Sequence, residues 1–459
     1  MKNITMLLCA LFISASYLFA APADTTKISL REKTASLLMV EDGKKDFAEG
    51  YTRTAIVKFR QALLKDPANA AAAFWVSKCH NEFKNYGYAL SYAKDALGID
   101  PKVDDEVFYI IANAYHRMNE LDMALEYYKK CKDEMSSYAV SVLRIEERMA
   151  ECTRAKEAGL TAAGNDAIKH ILPEDINSGF DDYGAVLSKD GKTLYFVSRR
   201  VNTKGGGVNP DDQRFYEDIY SVAWDKNATA FDSVSNDLAQ LNSIGFDAIN
   251  AFNRNGGAAY ITLNTSTVEV GRSFTTKGSD IAISRKDESG AWMQPVIIDD
   301  ANINTSFFEG SATLDKFGNT MIFVSDRNGM EKRSDLYISR KEEGKWTRAV
   351  ALPDNINTRE NETTPFLTPD GKYLFFSSNG LEGYGDYDIY VSKYLGDDKW
   401  SDPVNLGPEV NSVTSDTHFQ YYPEYGVAFC SSIRLQDEKS SMDLYVIDLK
   451  QLTTFSLPK

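Results

Sequence analysis

Between residues 165 and 457 one unit recurs five times, and this repetition limits the chain more than any other feature. Each copy opens on an apolar-Asn-Ser/Thr tripeptide: Ile176-Asn177-Ser178, Leu241-Asn242-Ser243, Ile303-Asn304-Thr305, Ile356-Asn357-Thr358 and Val410-Asn411-Ser412. A strand pattern follows, then a glycine turn at Gly191, Gly256, Gly318, Gly371 or Gly426, then a second strand such as Thr193–Ser198 or Tyr373–Ser378. A third strand starts at Asp218, Asp280, Asp335, Asp388 or Asp443, and these aspartates lie 62, 55, 53 and 55 positions apart. In three copies a tryptophan (Trp292, Trp346, Trp400) leads into a fourth strand. Asp-Gly and Asn-Gly turns between short alternating runs signal hairpins. Four strands in roughly 50–60 residues is the size of one β-propeller blade. Such a ring must close on itself. Lys169–Leu172, before Pro173, matches the fourth-strand segment Ala349–Leu352 before Pro353, and Thr453–Leu457 is the other candidate to complete the last blade. The second copy departs most, with Asn255-Gly256-Gly257 and an insertion running through Phe274–Lys277.

Upstream the period changes. Pro67 and Pro101 lie 34 residues apart, as do Ala55 and Ala89, and Ala62 and Ala96. One unit reads Ala55–Phe59–Ala62–Pro67 and the next Ala89–Ala93–Ala96–Pro101. A third, Ala124–Tyr128–Cys131, is displaced by one residue near Val103–Asp104 and lacks the proline. Small residues let paired helices approach, an aromatic fills the space beside them, and proline ends the second helix. Gly43, Phe108, Ile111, Ala112 and Tyr115 fit the same scheme. The charged run Tyr138–Ala158, with Arg144, Glu146, Glu147, Arg148 and Glu151, reads as the polar capping helix such a stack needs. The expected fold is multidomain, α then all-β: a helical solenoid over residues 28–160, then a five-bladed β-propeller over 165–457.

The helical units resemble tetratricopeptide (TPR) repeats. The blades resemble the TolB-type, WD40-like propeller repeat, with Pro369-Asp-Gly-Lys372 and Asp388-Ile-Tyr-Val391 as the clearest copy. The first resemblance implies peptide binding along the concave face made by the first helices, and its groove positions fall on Phe74, Lys78, Asn81, Tyr109, Asn113 and Arg117. The five repeated aspartates read as fold-forming residues that bond turn amides rather than as catalytic or calcium ligands. The tract Gly383–Asp388 holds two carboxylates, too few for a cation site of its own.

Residues 1–21 read as a secretory signal peptide: Lys2, an apolar run from Ile4 to Phe19, then small residues at Ala20, Ala21 and Ala23. Leu8 stands where lipidation at Cys9 would want a small residue. Cys79, Cys131, Cys152 and Cys430 match no zinc spacing, and they read as small buried hydrophobes, with one bridge among the first three left open. A formal charge of -15 repels phosphate and disfavours nucleic acid. His80, His116, His170 and His418 show no metal spacing, and neither a Gly-x-Ser-x-Gly elbow nor a phosphate-binding glycine loop is present. No catalytic residue, metal or cofactor is expected, and the chain is not expected to be an enzyme.

Signal peptide, TPR stack and TolB-type propeller together resemble the PorE-like family of type IX secretion and gliding. That family adds a C-terminal OmpA-like peptidoglycan-binding domain, which is not expected here because only eleven residues follow Asp448. The resemblance implies a periplasmic interaction scaffold at or near the outer membrane, with envelope or secretion proteins as partners and membrane association only through them. The alternative is a glycan-binding or glycan-cleaving propeller.

Overall fold

A computed structural model describes residues 28–160, 168–209, 214–232, 234–264, 278–329, 333–435, 440–453 and 457. The signal-peptide segment, residues 161–166 of the linker, most of the second-copy insertion and residues 454–456 lie outside the described residues.

The first helix starts where Ser29 and Glu32 form a reciprocal capping box. Helices α1 (Leu30–Ala48), α2 (Thr52–Lys65), α3 (Ala70–Glu82), α4 (Tyr86–Ile99), α5 (Glu106–Arg117) and α6 (Leu121–Glu134) make three hairpins. The 34-residue alanines sit at the crossings: Ala55, Ala62, Ala89, Ala93, Ala96 and Ala124 are fully buried. Gly43 is required at the α1/α2 crossing, since a Cβ there would lie 2.6 Å from the Phe59 ring. Two shorter helices follow, α7 (Ser137–Val142) and α8 (Ile145–Glu157). The single capping helix expected over 138–158 is thus broken, because Arg144 takes a left-handed backbone (φ 52°) between them.

The remaining residues form five small antiparallel sheets. After β1 (Lys169–Ile171), blade one holds β2 (Asp182–Leu187), β3 (Thr193–Ser198) and β4 (Asp218–Ala223). Blade two holds β5 (Phe246–Phe252), β6 (Ala258–Asn264), β7 (Asp280–Arg285) and β8 (Val296–Ile297). Blade three holds β9 (Glu309–Leu314), β10 (Thr320–Ser325), β11 (Asp335–Glu342), β12 (Lys345–Trp346) and β13 (Val350–Ala351). Blade four holds β14 (Glu362–Leu367), β15 (Tyr373–Ser378), β16 (Asp388–Gly396), β17 (Lys399–Trp400) and β18 (Val404–Asn405). Blade five holds β19 (Asp416–Tyr422), β20 (Val427–Leu435) and β21 (Ser440–Asp448). β1 closes the ring by pairing with β21, Lys169 opposite Ile447.

The apolar cores lie between blades rather than within them. Val186, Tyr195 and Ile219 of blade one pack on Ile249, Phe252 and Trp292 of blade two, and four further clusters repeat this around the ring. The repeated asparagine explains the motif's constancy. The Asn242 side chain accepts from Ile219 N–H and donates to Ile219 C=O, both at 2.8 Å, so it clasps the third strand of the preceding blade. Asn177, Asn304, Asn357 and Asn411 clasp Leu444, Ile281, Leu336 and Ile389 in the same way. Each clasp satisfies buried backbone groups where two blades meet.

Candidate interaction site at the propeller mouth

The innermost strands all begin at one end of the ring, and a row of polar residues crosses each blade there. An acid on the first strand faces a residue on the second, which faces the repeated aspartate on the third: Asp182–Ser198–Asp218, Asp247–Leu263–Asp280, Glu309–Ser325–Asp335, Glu362–Ser378–Asp388 and Asp416–Ser432–Asp443. The five first-strand acids are fully buried. Each accepts from the backbone N–H and the hydroxyl of the Ser or Thr four residues earlier. Sequence reasoning missed this ring of acids, although the signal was there: every Asn-Ser/Thr motif carries Asp or Glu at the same later position.

Three of these acids have a basic partner. Arg200 reaches Asp182 at 2.7 Å, Arg327 reaches Glu309 at 3.1 Å and Lys169 reaches Asp416 at 2.6 Å. Among the described residues Asp247 and Glu362 have none, and burial pushes each carboxyl up to about 7. On the third strands, backbone amides reach Asp218 (from Lys204) and Asp388 (from Tyr384 and Gly385). At Asp335 and Asp443 the partners are side chains instead, Asn328 and Arg333 at the first, Ser441 and Arg434 at the second. Asp280 is half-buried at the start of β7. Burial and the neighbouring Asp416 charge push Asp388 up to about 8.

The same end of the ring carries the helical stack. Val413 and Tyr384 of the propeller pack into the stack's last core with Leu121, Tyr128, Ile145 and Cys152. Arg117 Nη1 donates to Val413 C=O at 2.8 Å, His116 Nε2 lies 3.0 Å from Tyr384 C=O, and Arg154 Nε donates to Gly383 C=O at 2.8 Å. Burial, then Arg117 and Arg148, hold the His116 pKa well below its usual value, so the ring is neutral and Nε2 carries its proton toward that carbonyl. Arg148 bridges Glu151 at 3.0 Å and Asp386 at 3.5 Å. Burial alone would raise the Asp386 pKa, but Arg117 and Arg148 outweigh it and hold the carboxyl down at about 2. At the other edge, Ser440 bonds Asn85 Oδ1 and Lys84 C=O in the α3–α4 turn. Of the α8 charges, expected to face solvent as a polar cap, Arg148 and Arg154 are therefore turned onto the propeller, while Glu146 and Lys156 stay exposed and pair with Lys132 and Asp122 of the stack. Arg144 leaves its helix to donate to Asn379 C=O at 2.9 Å.

The expected groove residues divide. Asn81, Asn113 and Arg117 form one chain of hydrogen bonds that ends on Val413, so this end of the concave face is filled by the propeller. Phe74 lies in the hairpin core against Ala89 and Ile111. Tyr109 is half-buried and packs near Tyr128. Lys78 pairs with Glu106 at 2.7 Å and stands over the Trp75 and Phe47 rings. Trp75, Phe47 and Lys44, which the groove transfer missed, surround it half-buried. In the tract Gly383–Asp388, Asp386 pairs with Arg148 and Asp388 Oδ2 accepts from Tyr384 and Gly385 N–H, while Asp388 Oδ1 is buried without a hydrogen-bond partner. Cys79, Cys131, Cys152 and Cys430 are free and buried, and burial pushes their thiols up to about 12, 12, 12 and 11.

The channel itself opens at this mouth as a 630 Å³ cavity. Phe246, Phe307, Tyr183, Asn250, Glu217 and Asp326 are among its lining residues. A second cavity of 270 Å³ shares Tyr183, Glu217 and His418 with it and runs outward to Phe83 and Lys84 of the stack. Burial lowers the His418 pKa to about 4, so this ring is neutral. The channel wall is stitched blade to blade. Gly184 N–H donates to Ser431 Oγ, Ser311 N–H to Thr262 Oγ1 and His418 N–H to Thr364 Oγ1, at 2.9–3.1 Å. Those three donors and Thr364 all have φ between 49° and 66°, a conformation that costs about 1 kcal/mol or more at a non-glycine residue. Among the described residues no group of three or more His, Cys, Asp or Glu is placed to hold a metal ion, and no helix is long and apolar enough to cross a membrane.

No family model matches the chain, and no curated protein matches it. Among solved structures, the first TPR domain of human RPAP3 is similar to 27% of this chain over 97% of its own length, at 19% identity and a TM-score of 0.25. An endo-arabinase from Bacteroides thetaiotaomicron is similar to 61% of this chain over 96% of its own, at 15% identity and a TM-score of 0.37. The α-L-arabinofuranosidase PaAbf62A from Podospora anserina is similar to 60% over 93%, at 13% identity and a TM-score of 0.37. These are likenesses of chain path alone.

Proposed function

We propose that the chain is a non-enzymatic protein-binding scaffold of the cell envelope, exported to the periplasm and serving a secretion or envelope assembly of the type IX kind. One observation carries the binding part of this reading. The stack is joined to the propeller's mouth by the buried Arg117 and the half-buried Arg148 and Asp386, so helical groove and channel form one platform. A partner segment entering beside Trp75, Phe47 and Lys78 would meet a rigid surface, and rigidity limits the entropy lost on binding. The envelope assignment rests on the resemblance to PorE-like proteins and on the leader-like first 21 residues.

The test is a cross-linked pull-down from the native envelope with the full chain, comparing wild type with Trp75→Ala/Lys78→Glu and with Glu217→Gln/Phe307→Ala. Loss of one specific prey with the first pair assigns recruitment to the groove, and loss with the second pair assigns it to the channel. Wild-type chain that captures no specific prey counts against the scaffold.

A second reading follows from the channel cavity. Aromatic rings set beside amides and two carboxylates suit a sugar ring, so a glycan ligand is the alternative. Calorimetry with soluble oligosaccharides, repeated on Phe307→Ala, separates it from the protein-binding reading.

A further inference from the structure

The five blade junctions are built alike, so a departure at one of them carries information. At each junction among blades one to five, the first-strand acid of one blade donates its backbone N–H to the preceding blade: Asp247 to Glu217 C=O, Glu309 to Ser279, Glu362 to Ser334 and Asp416 to Tyr387. In blade two this sets Asp247 beside Asp218, whose next residue, Ile219, is held by Asn242. The first-strand acids of blades one, three and five hold Arg200, Arg327 and Lys169. At the junction of blades three and four, Glu362 takes hydroxyl bonds on Oε1 and the adjoining Asp335 holds Arg333.

The junction of blades one and two has no such compensation. Leu263 replaces the serine found at this place in the other four blades, so the hydroxyl donor is missing. Asp247 Oδ2 accepts from Ser243, and Asp218 Oδ2 accepts from Lys204 N–H and Asn236. The Oδ1 atom of each is buried with no hydrogen-bond partner, and both residues are fully buried. Asp335 and Asp388 also have a partnerless Oδ1, but their junctions hold a cation, Arg333 on Asp335 and Lys169 on the facing Asp416. Among the ten oxygens of the first-strand acids, Asp247 Oδ1 is the one left so. The loop that binds Asp218 through Lys204 also contributes a buried hydroxyl without a partner, Thr203 Oγ1. An unpaired buried carboxylate oxygen is too costly to leave uncompensated.

We propose that Asp218 and Asp247 bind a hard divalent cation at the junction of blades one and two, in the place where the other junctions use Lys or Arg. Calcium fits this set best, because it takes carboxylate and hydroxyl oxygens in irregular geometry and completes its shell with water. The ion would stitch the two blades together as Lys169 stitches the last.

Calcium binding by the purified chain, after treatment with a chelator, tests this. Native mass spectrometry and calorimetry should find one Ca²⁺ per chain, with the melting temperature raised by about 5 °C at saturating calcium. Asp247→Asn and Asp218→Asn should each abolish that ion and the shift, while Glu362→Gln, at the equivalent place in blade four, should keep both. If a variant fails to fold, the wild-type titration still decides. Folded wild-type chain that takes up no Ca²⁺ at 10 mM (roughly the upper end of extracellular-module affinities, with margin) overturns the proposal and leaves the pair held by a proton. An ion retained by both Asn variants overturns it as well.

Discussion

Glu362 and Asp386 are carboxylates of opposite character, separated by what faces them. Glu362 sits among hydroxyls with no cation, and its carboxyl is pushed up to about 7. The folded chain therefore holds a proton that the unfolded chain releases near pH 4.5. Stability from this group is complete below that pH and is lost as pH rises toward 7. Glu362→Gln should flatten the profile and stabilise the chain by about 2 kcal/mol at pH 8 while changing little at pH 4, as read by urea unfolding at both. Asp386 titrates in the other sense. Held down at about 2 by Arg117 and Arg148, it contributes stability above the ordinary carboxylate range and loses it as pH falls from about 4 to 2. Hydrogen-exchange protection factors at Gly383–Asp386, relative to the intrinsic rate at each pH, should therefore stay high at pH 5 and fall near pH 2.5.

Within elements, the repeated residues act at crossings and clasps. Asn357→Ala would strip Leu336 N–H and Leu352 C=O of this partner and leave Leu336 C=O with Leu352 N–H alone, at a cost of about 3 kcal/mol in thermal or urea unfolding. Gly43→Ala would drive a methyl into the Phe59 ring, and about 1–3 kcal/mol should be lost from the first hairpin, seen as faster exchange of α1 and α2 amides. Both positions were legible beforehand, because spacing fixes them: small residues at 34-residue intervals, and one asparagine per blade; the clasp that the asparagine makes was not. The first-strand acids were harder to see. They vary between Asp and Glu, and their basic partners Arg200, Arg327 and Lys169 come from outside the motif. The break at Arg144 was hidden for a similar reason. A helix bearing Arg144, Glu147, Arg148, Glu151 and Arg154 reads as solvated. Its partners Asn379, Gly383 and Asp386 lie more than 200 residues away, beyond any local pattern.

Across the whole molecule, the union of stack and propeller is the feature sequence could not supply. Of the six groove positions expected, Asn81, Asn113 and Arg117 serve an internal contact with the propeller. Asp386→Asn should leave Glu151 alone to balance both Arg117 and Arg148, at about 3 kcal/mol. Small-angle scattering should then show a broader spread of sizes, and exchange at Val413–Ser415 should rise by about a hundredfold. The ring's closure has a further consequence in time. β1 is made first among the propeller strands and β21 last, yet each is the other's neighbour. A chain emerging from its amino end can complete its helices early, but the ring stays open until β21 has been made. Through that interval Lys169 and the Asp416 carboxylate wait unmatched, so the slow step of maturation belongs to the meeting of the two ends and not to any single blade.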